Sequence, residues 1–101
     1  MTASASRRAR YRFQLYVAGD AQNSAQAIAN LNALCRAHLK GRHEIEIVDV
    51  FREPKRALDN RVFMTPTLVK LAPQPAPIRI VGTLSQEVPV LQALGLGIHG
   101  P

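Results

Sequence analysis

A proline placed directly before a strand-like run constrains this chain more than any other feature. The stretch "FMTPTLVKL", Phe63 to Leu71, puts Pro66 ahead of the β-branched and apolar residues Thr67 to Leu71. Proline has no N–H to give a sheet ladder, fixes its own φ and pushes the residue before it, here Thr65, toward extended backbone. Pro66 must therefore sit at the first residue of a strand or on an unpaired edge. The sheet it introduces belongs to one ordinary domain, because 101 residues can bury a single modest core and not two. At 47% hydrophobic and 20% charged, the chain falls near the globular average rather than among disordered sequences.

The pattern on either side of that proline alternates between two periods. After a basic arm, residues 1–9, read as disordered, "YRFQLYVAG" alternates Tyr11, Phe13, Leu15 and Val17 with Arg12, Gln14 and Tyr16, the period of a strand. Tyr16 falls on the face opposite Phe13 and Leu15. From Asn23 the period becomes helical, with Ile28, Leu31, Leu34, Cys35 and Leu39 on one side, Asn23 or Ser24 as the cap and Gly41 as the terminator. "EIEIVDV", Glu44 to Val50, is a second strand at the right distance for a right-handed β-α-β unit, which makes the first two strands parallel. Pro54 opens a short helix with Ala57, Leu58 and Val62 on its apolar side. Thr67 to Leu71, the proline-rich turn "APQPAP" and "IRIVG" form an antiparallel pair. Ser85 caps a last helix in which Val88, Leu91 and Leu94 mark one face and Pro89 lies in the first turn.

Charge and cysteine content narrow the chemistry. The net charge of +6 suggests nucleic acid, but Arg7, Arg8, Arg10 and Arg12 lie in the first twelve residues, which contain no acid. The remainder carries 9 basic against 7 acidic residues, so a solvated arm is favoured over specific nucleic-acid binding. Cys35 is the only cysteine, which excludes an internal disulfide and a C-x-x-C redox pair. Cys35 and His38 are three apart on a helix but make only two ligands, and His43 and His99 lack metal-site spacing. Asp49 has no accompanying nucleophile or acid and reads as structural. No apolar run approaches the ~20 residues of a membrane span, and the basic N-terminus is followed by no apolar segment, so a cytoplasmic location without membrane contact is expected.

The order strand, helix, strand, helix, strand, strand, helix resembles the thioredoxin fold, an α/β fold with a mixed four-stranded sheet. That resemblance implies a cis bond before Pro66 and a thiol at the start of the first helix, where this chain instead reads "AGDAQNSAQ". The motifs "LYVAGDAQNS", "IVDV", "EP", "TPTLVKL" and "IRIVGTLS", spread from Tyr11 to Leu96, resemble the KaiB family of circadian clock proteins. The resemblance implies a single domain, residues 10–96, with a frayed tail at 97–101, no catalytic activity and no cofactor. It implies docking on a KaiC-type ring ATPase, with KaiA captured there and a clock-output histidine kinase displaced. By the same resemblance the docking residues are Asn23, Ser24 and Gln26 on the first helix and Glu44 and Glu46 on the second strand. The alternating glutamates also read as protection of a sheet edge.

KaiB proteins are metamorphic: they exchange a tetrameric ground-state fold for a monomeric thioredoxin-like one by refolding the second half of the chain. Where clock members carry Gly and then Asp in the final segment, "VLQALGL" has Ala93 and Gly95. Gly to Ala adds roughly 1 kcal/mol of helix preference, and Gly95 falls where a helix end tolerates it. The monomeric thioredoxin-like state is therefore expected to dominate, with the tetrameric ground-state fold as the alternative. The competing functional readings are a thioredoxin-like enzyme or small-molecule binder lacking the C-x-x-C motif, and a basic-tailed nucleic-acid binder.

Overall fold

Alternation along Tyr11–Val17 becomes strand β1, which has a packed layer on each side. The computed structural model describes residues 10–96, and the expected arm at 1–9 and tail at 97–101 lie outside the described residues. Strand β1 is followed by α1 (Gln22–His38), β2 (His43–Asp49), α2 (Pro54–Asp59), β3 (Thr67–Ala72), β4 (Ile78–Val81) and α3 (Glu87–Ala93). The sheet order is β2-β1-β3-β4, with β1 and β2 parallel and the other two pairings antiparallel. This is the expected thioredoxin-like arrangement, and β2 and β4 are its two edges.

The odd residues of β1 pack with Ala27, Leu31, Leu34 and Cys35 of α1 and with Val90 and Leu91 of α3. On the other face Tyr16 packs with Val48, Ala57, Val62 and Val69 beneath α2. Each fully buried Leu or Phe here contributes about 1.5–3 kcal/mol relative to exposure. Because the period along a strand is two, one slip of register would reverse both faces, and this specifies the pairing strongly.

Pro66 stands immediately before β3, and the Thr65–Pro66 bond is cis. Its carbonyl accepts the Gly82 N–H at 2.9 Å, at the end of the β3–β4 ladder where the proline's missing donor costs least. The strand that follows is buried along Thr67 to Lys70.

Several local expectations are corrected. Helix α1 starts at Gln22 with Ala21 at the N-cap position and no side-chain cap, because Ser24 Oγ instead accepts the Ala18 N–H at 3.0 Å. Gln86, not Ser85, precedes α3. Leu58 is exposed, since a six-residue helix turns only Ala57 fully onto the sheet. Val88 is also exposed: the buried arc of α3 is Val90, Leu91 and Leu94, and Val88 lies roughly 120° round the helix from Leu94. Strand β2 runs one residue earlier than expected, from His43 to Asp49.

Helix α3 ends in a complete Schellman motif. Gly95 has φ +78°, its N–H donates to the Gln92 carbonyl at 3.1 Å, and the Leu96 N–H donates to the Leu91 carbonyl at 2.8 Å. Leu96 also packs against the core that contains Leu91. Helix α2 ends the same way, with Arg61 at φ +59° and the Val62 N–H on the Ala57 carbonyl at 2.8 Å.

Candidate functional site

The turn from β1 into α1 is where a thioredoxin-like chain would hold its reactive thiol, and here it is built for another purpose. Gly19 adopts φ +55°, and the Phe51 ring lies over it, 3.4 Å from where a Cβ would be. Asp49 Oδ1 accepts both the Gly19 N–H at 3.2 Å and the Phe51 N–H at 2.9 Å. The carboxylate thus ties the β1–α1 turn to the β2–α2 turn, as the structural reading of Asp49 requires. Cys35 lies thirteen residues into α1, fully buried, and burial pushes its thiol up to about 11. A thiol held there forms almost no thiolate at neutral pH. His38 is engaged by Glu87 at 2.9 Å and His43 by the Leu39 carbonyl at 2.9 Å, so neither turns toward Cys35 as a shared ligand.

Of the expected docking residues, Asn23 and Gln26 are exposed at the start of α1. Ser24 is not: its side chain is buried because its hydroxyl is needed by the Ala18 N–H, so it cannot offer a side-chain contact in this state. Glu44 and Glu46 are exposed on the edge strand β2. They point to the α2 side of the sheet, whereas α1 covers the other side. The structure therefore does not bring the two groups together on one face; they meet only around the β2 edge. Between them, Ile28 of α1 and the 42% exposed Ile47 line a groove of about 340 Å³ with Asp20, Asp49, Arg52 and Glu53. Sequence reasoning missed Ile47, since alternation alone does not show which strand is at the edge.

Both glutamates are already paired within the chain. Glu44 contacts Arg10 at 3.0 Å and Arg12 at 3.8 Å. Glu46 takes a two-pronged contact from Arg56, at 2.8 and 2.9 Å, and a further bond from Gln14 Nε2 at 3.2 Å. The Arg56 guanidinium is the main reason its carboxyl is held below the usual carboxylate range, and Arg56 is raised in return. The network continues inward: the Tyr16 hydroxyl donates to Gln14 Oε1 at 2.9 Å and accepts from Asn60 Nδ2 at 2.9 Å. Edge strand and α2 are thus joined through a buried tyrosine.

Two further exposed apolar side chains, Phe63 and Met64, precede the Thr65–Pro66 cis bond, and Phe51 is exposed over Gly19. Phe51, Phe63 and Met64 are all more than 60% exposed, and the Met64 carbonyl accepts from Thr67 Oγ1 at 2.5 Å. Apolar side chains left this open on a small domain suit contact with another macromolecule better than catalysis.

Fold and site together define a thioredoxin-like domain in which the thiol position has been given over to a backbone-bonded turn. Solved structures agree on the fold. Chloroplastic thioredoxin z matches with a TM-score of 0.69 at 20% identity, covering 95% of this chain and 87% of that one. The N-terminal domain of Synechococcus elongatus SasA matches with a TM-score of 0.69 at 21% identity, covering 89% and 90%. The KaiB domain model matches residues 14–96. The circadian clock protein KaiB3 of Synechocystis sp. is 41% identical over 85 residues, 84% of this chain and 80% of that protein. The circadian clock oscillator protein KaiB of Thermostichus vulcanus is 38% identical over 86 residues, covering 85% and 79%. The chain belongs to the KaiB family.

Proposed function

We propose that residues 10–96 form a non-catalytic, clock-type protein-binding module that docks as a monomer on a KaiC-type ring ATPase in the cytoplasm. On the ring it competes with the sensory domain of a clock-output histidine kinase and offers a site to a KaiA-like partner, in timekeeping or a related stress response. The observation that carries this reading is the KaiB match over 14–96 on a fold whose β2 edge and α1 start are open. Asn23, Gln26, Glu44 and Glu46 form the rim of the docking surface and Ile47 its apolar centre; Ser24 serves from beneath by holding the turn. No helix among the described residues is long and apolar enough to cross a membrane.

The test is biolayer interferometry against an immobilised ring ATPase of the KaiC type. Micromolar binding that weakens for Ile47→Asp is expected. No binding up to about 100 µM, a dissociation constant equivalent to only about −5.5 kcal/mol, would overturn the docking reading. Turnover of glutathione or disulfide substrates would overturn the non-catalytic one.

A further inference from the structure

The opposite edge of the sheet is also open, and its pattern matches itself. The Gly82 N–H points toward β3, on the Pro66 carbonyl. Since the inward and outward backbone groups of an antiparallel strand alternate, Ile78 and Ile80 also face β3, while the N–H and C=O of Arg79 and Val81 face away from the sheet. The side chains alternate as well. Arg79 reaches the Asn60 and Arg61 carbonyls on the α2 side, and Ile80 packs against the α1 and α3 core.

We propose that β4 is a self-association edge, pairing antiparallel with β4 of a second copy about a two-fold axis through Ile80. In that register Arg79 of each copy lies opposite Val81 of the other, and these two residues hold the outward donors and acceptors, so four backbone hydrogen bonds form. Ile80 meets Ile80 as the non-hydrogen-bonded pair, with Cα atoms about 4.5 Å apart. Ile78 of each copy falls opposite Gly82 of the other. A side chain is missing there, and no atom lies within 4 Å of the position a Cβ would occupy. Beside it is a groove of about 260 Å³ lined by Gly82, Leu84, Pro89 and Val90, continuous with the edge and on the side to which Ile78 projects.

The occupant is a second copy because the match is internal: β4 supplies the isoleucine, and Gly82, immediately past the strand's end at φ +123°, supplies the gap. Charge does not oppose it, since each guanidinium is drawn back onto the Asn60 and Arg61 carbonyls just past α2 of its own chain and faces a valine. Pro77 has no N–H and ends the pairing, so the contact closes as a two-fold dimer of short strands and does not propagate. The dimer is an eight-stranded sheet with β2 at each far end, which leaves the proposed docking surface free.

Sedimentation equilibrium from about 10 µM to about 1 mM, concentrations that bracket a weak association, tests this. The mass should rise from 11.1 kDa toward twice that value. Val81→Pro, which removes an outward donor without touching the β3 ladder, should remain monomeric. Because proline in a strand also costs stability, Ile80→Cys gives an independent readout: mild oxidation should yield a covalent dimer, while Glu44→Cys on β2 should not. A monomer at every concentration, a dimer unaffected by Val81→Pro, cross-linking at position 44 in place of position 80, or a tetramer would each overturn the proposal.

Discussion

Changing the C-terminal end of α3 and its cap toward the clock pattern, Ala93→Gly with Gly95→Asp, should destabilise this fold by about 1.5–2 kcal/mol. Ala93 is the last helical residue and is exposed, so its replacement loses no packing and costs only helix propensity, about 1 kcal/mol. Gly95 sits at φ +78°, the left-handed position of the Schellman motif, where its N–H and that of Leu96 satisfy two helix carbonyls. An L-residue there pays roughly 1–2 kcal/mol, less for Asp than for Ala because a short polar side chain tolerates the conformation. Lower entropy of the unfolded chain returns about 0.4–1 kcal/mol, leaving about 0.5–1. Urea denaturation should show the midpoint falling with the slope unchanged. Amide exchange should quicken first at Leu91 to Leu96. If the second fold of the family lies within that margin, a tetramer with strand in this segment appears as well. An unchanged midpoint with undiminished protection at Leu96 would refute the argument that these two positions hold α3.

Three further outcomes follow from the same kind of reasoning. Arg61→Gly, at φ +59° in the matching motif of α2, should stabilise the protein by up to about 1 kcal/mol in thermal unfolding, since the backbone bonds remain and the strain goes. A double-mutant cycle on Glu46 and Arg56 should give only a small coupling, because both side chains are open to solvent and water screens the pair. Because the folded pKa of Glu46 is depressed, that contribution is present above its ordinary value near 4.5 and is lost as pH falls through the lower folded one. Lys70 is buried on the core face of β3 with its ammonium 5.8 Å from the Tyr11 ring centre, and desolvation lowers its pKa. A depressed lysine destabilises the fold below its folded pKa and ceases to do so above 10.5, so the gain from Lys70→Met, read as a urea midpoint, should shrink as pH rises toward that value.

The sheet was legible in the sequence because two independent signals agreed along it. The period of two in β1 and the spacing of Leu31, Leu34 and Cys35 in α1 are set by burial, and burial dominates the energetics. Pro66 announced the start of β3 for the same reason that it cannot sit inside a ladder. Caps were misread where a polar side chain had two possible uses. Ser24 could bond its own helix or the turn before it, and only the closed turn at Ala18 decides between them. Leu58 and Val88 were misread because short helices show too little period to fix which arc is buried. The docking surface was half legible: polar residues at 23 and 26 and glutamates at 44 and 46 are exposed, but their separation onto two faces depends on tertiary placement of α1 and on the ion pair with Arg56 from ten residues away.

Cys35 offers a final check on both the lost thiol chemistry and the rigidity of the core. With its pKa pushed up from 9.0 to about 11, roughly one thiol in 10,000 is ionised at pH 7, a suppression of roughly 100-fold before steric exclusion is counted. Steric exclusion is complete, because Cys35 is fully buried between α1 and the sheet. Modification by an aromatic disulfide reagent should therefore proceed only through opening of α1, at a rate that rises with urea and tracks amide exchange of the helix. Ala93→Gly with Gly95→Asp should accelerate it, since α3 packs on the same core as α1. Stoichiometric labelling of the native protein within seconds, independent of denaturant, would mean that the thiol is accessible and that the separation of this domain from thiol chemistry has been drawn in the wrong place.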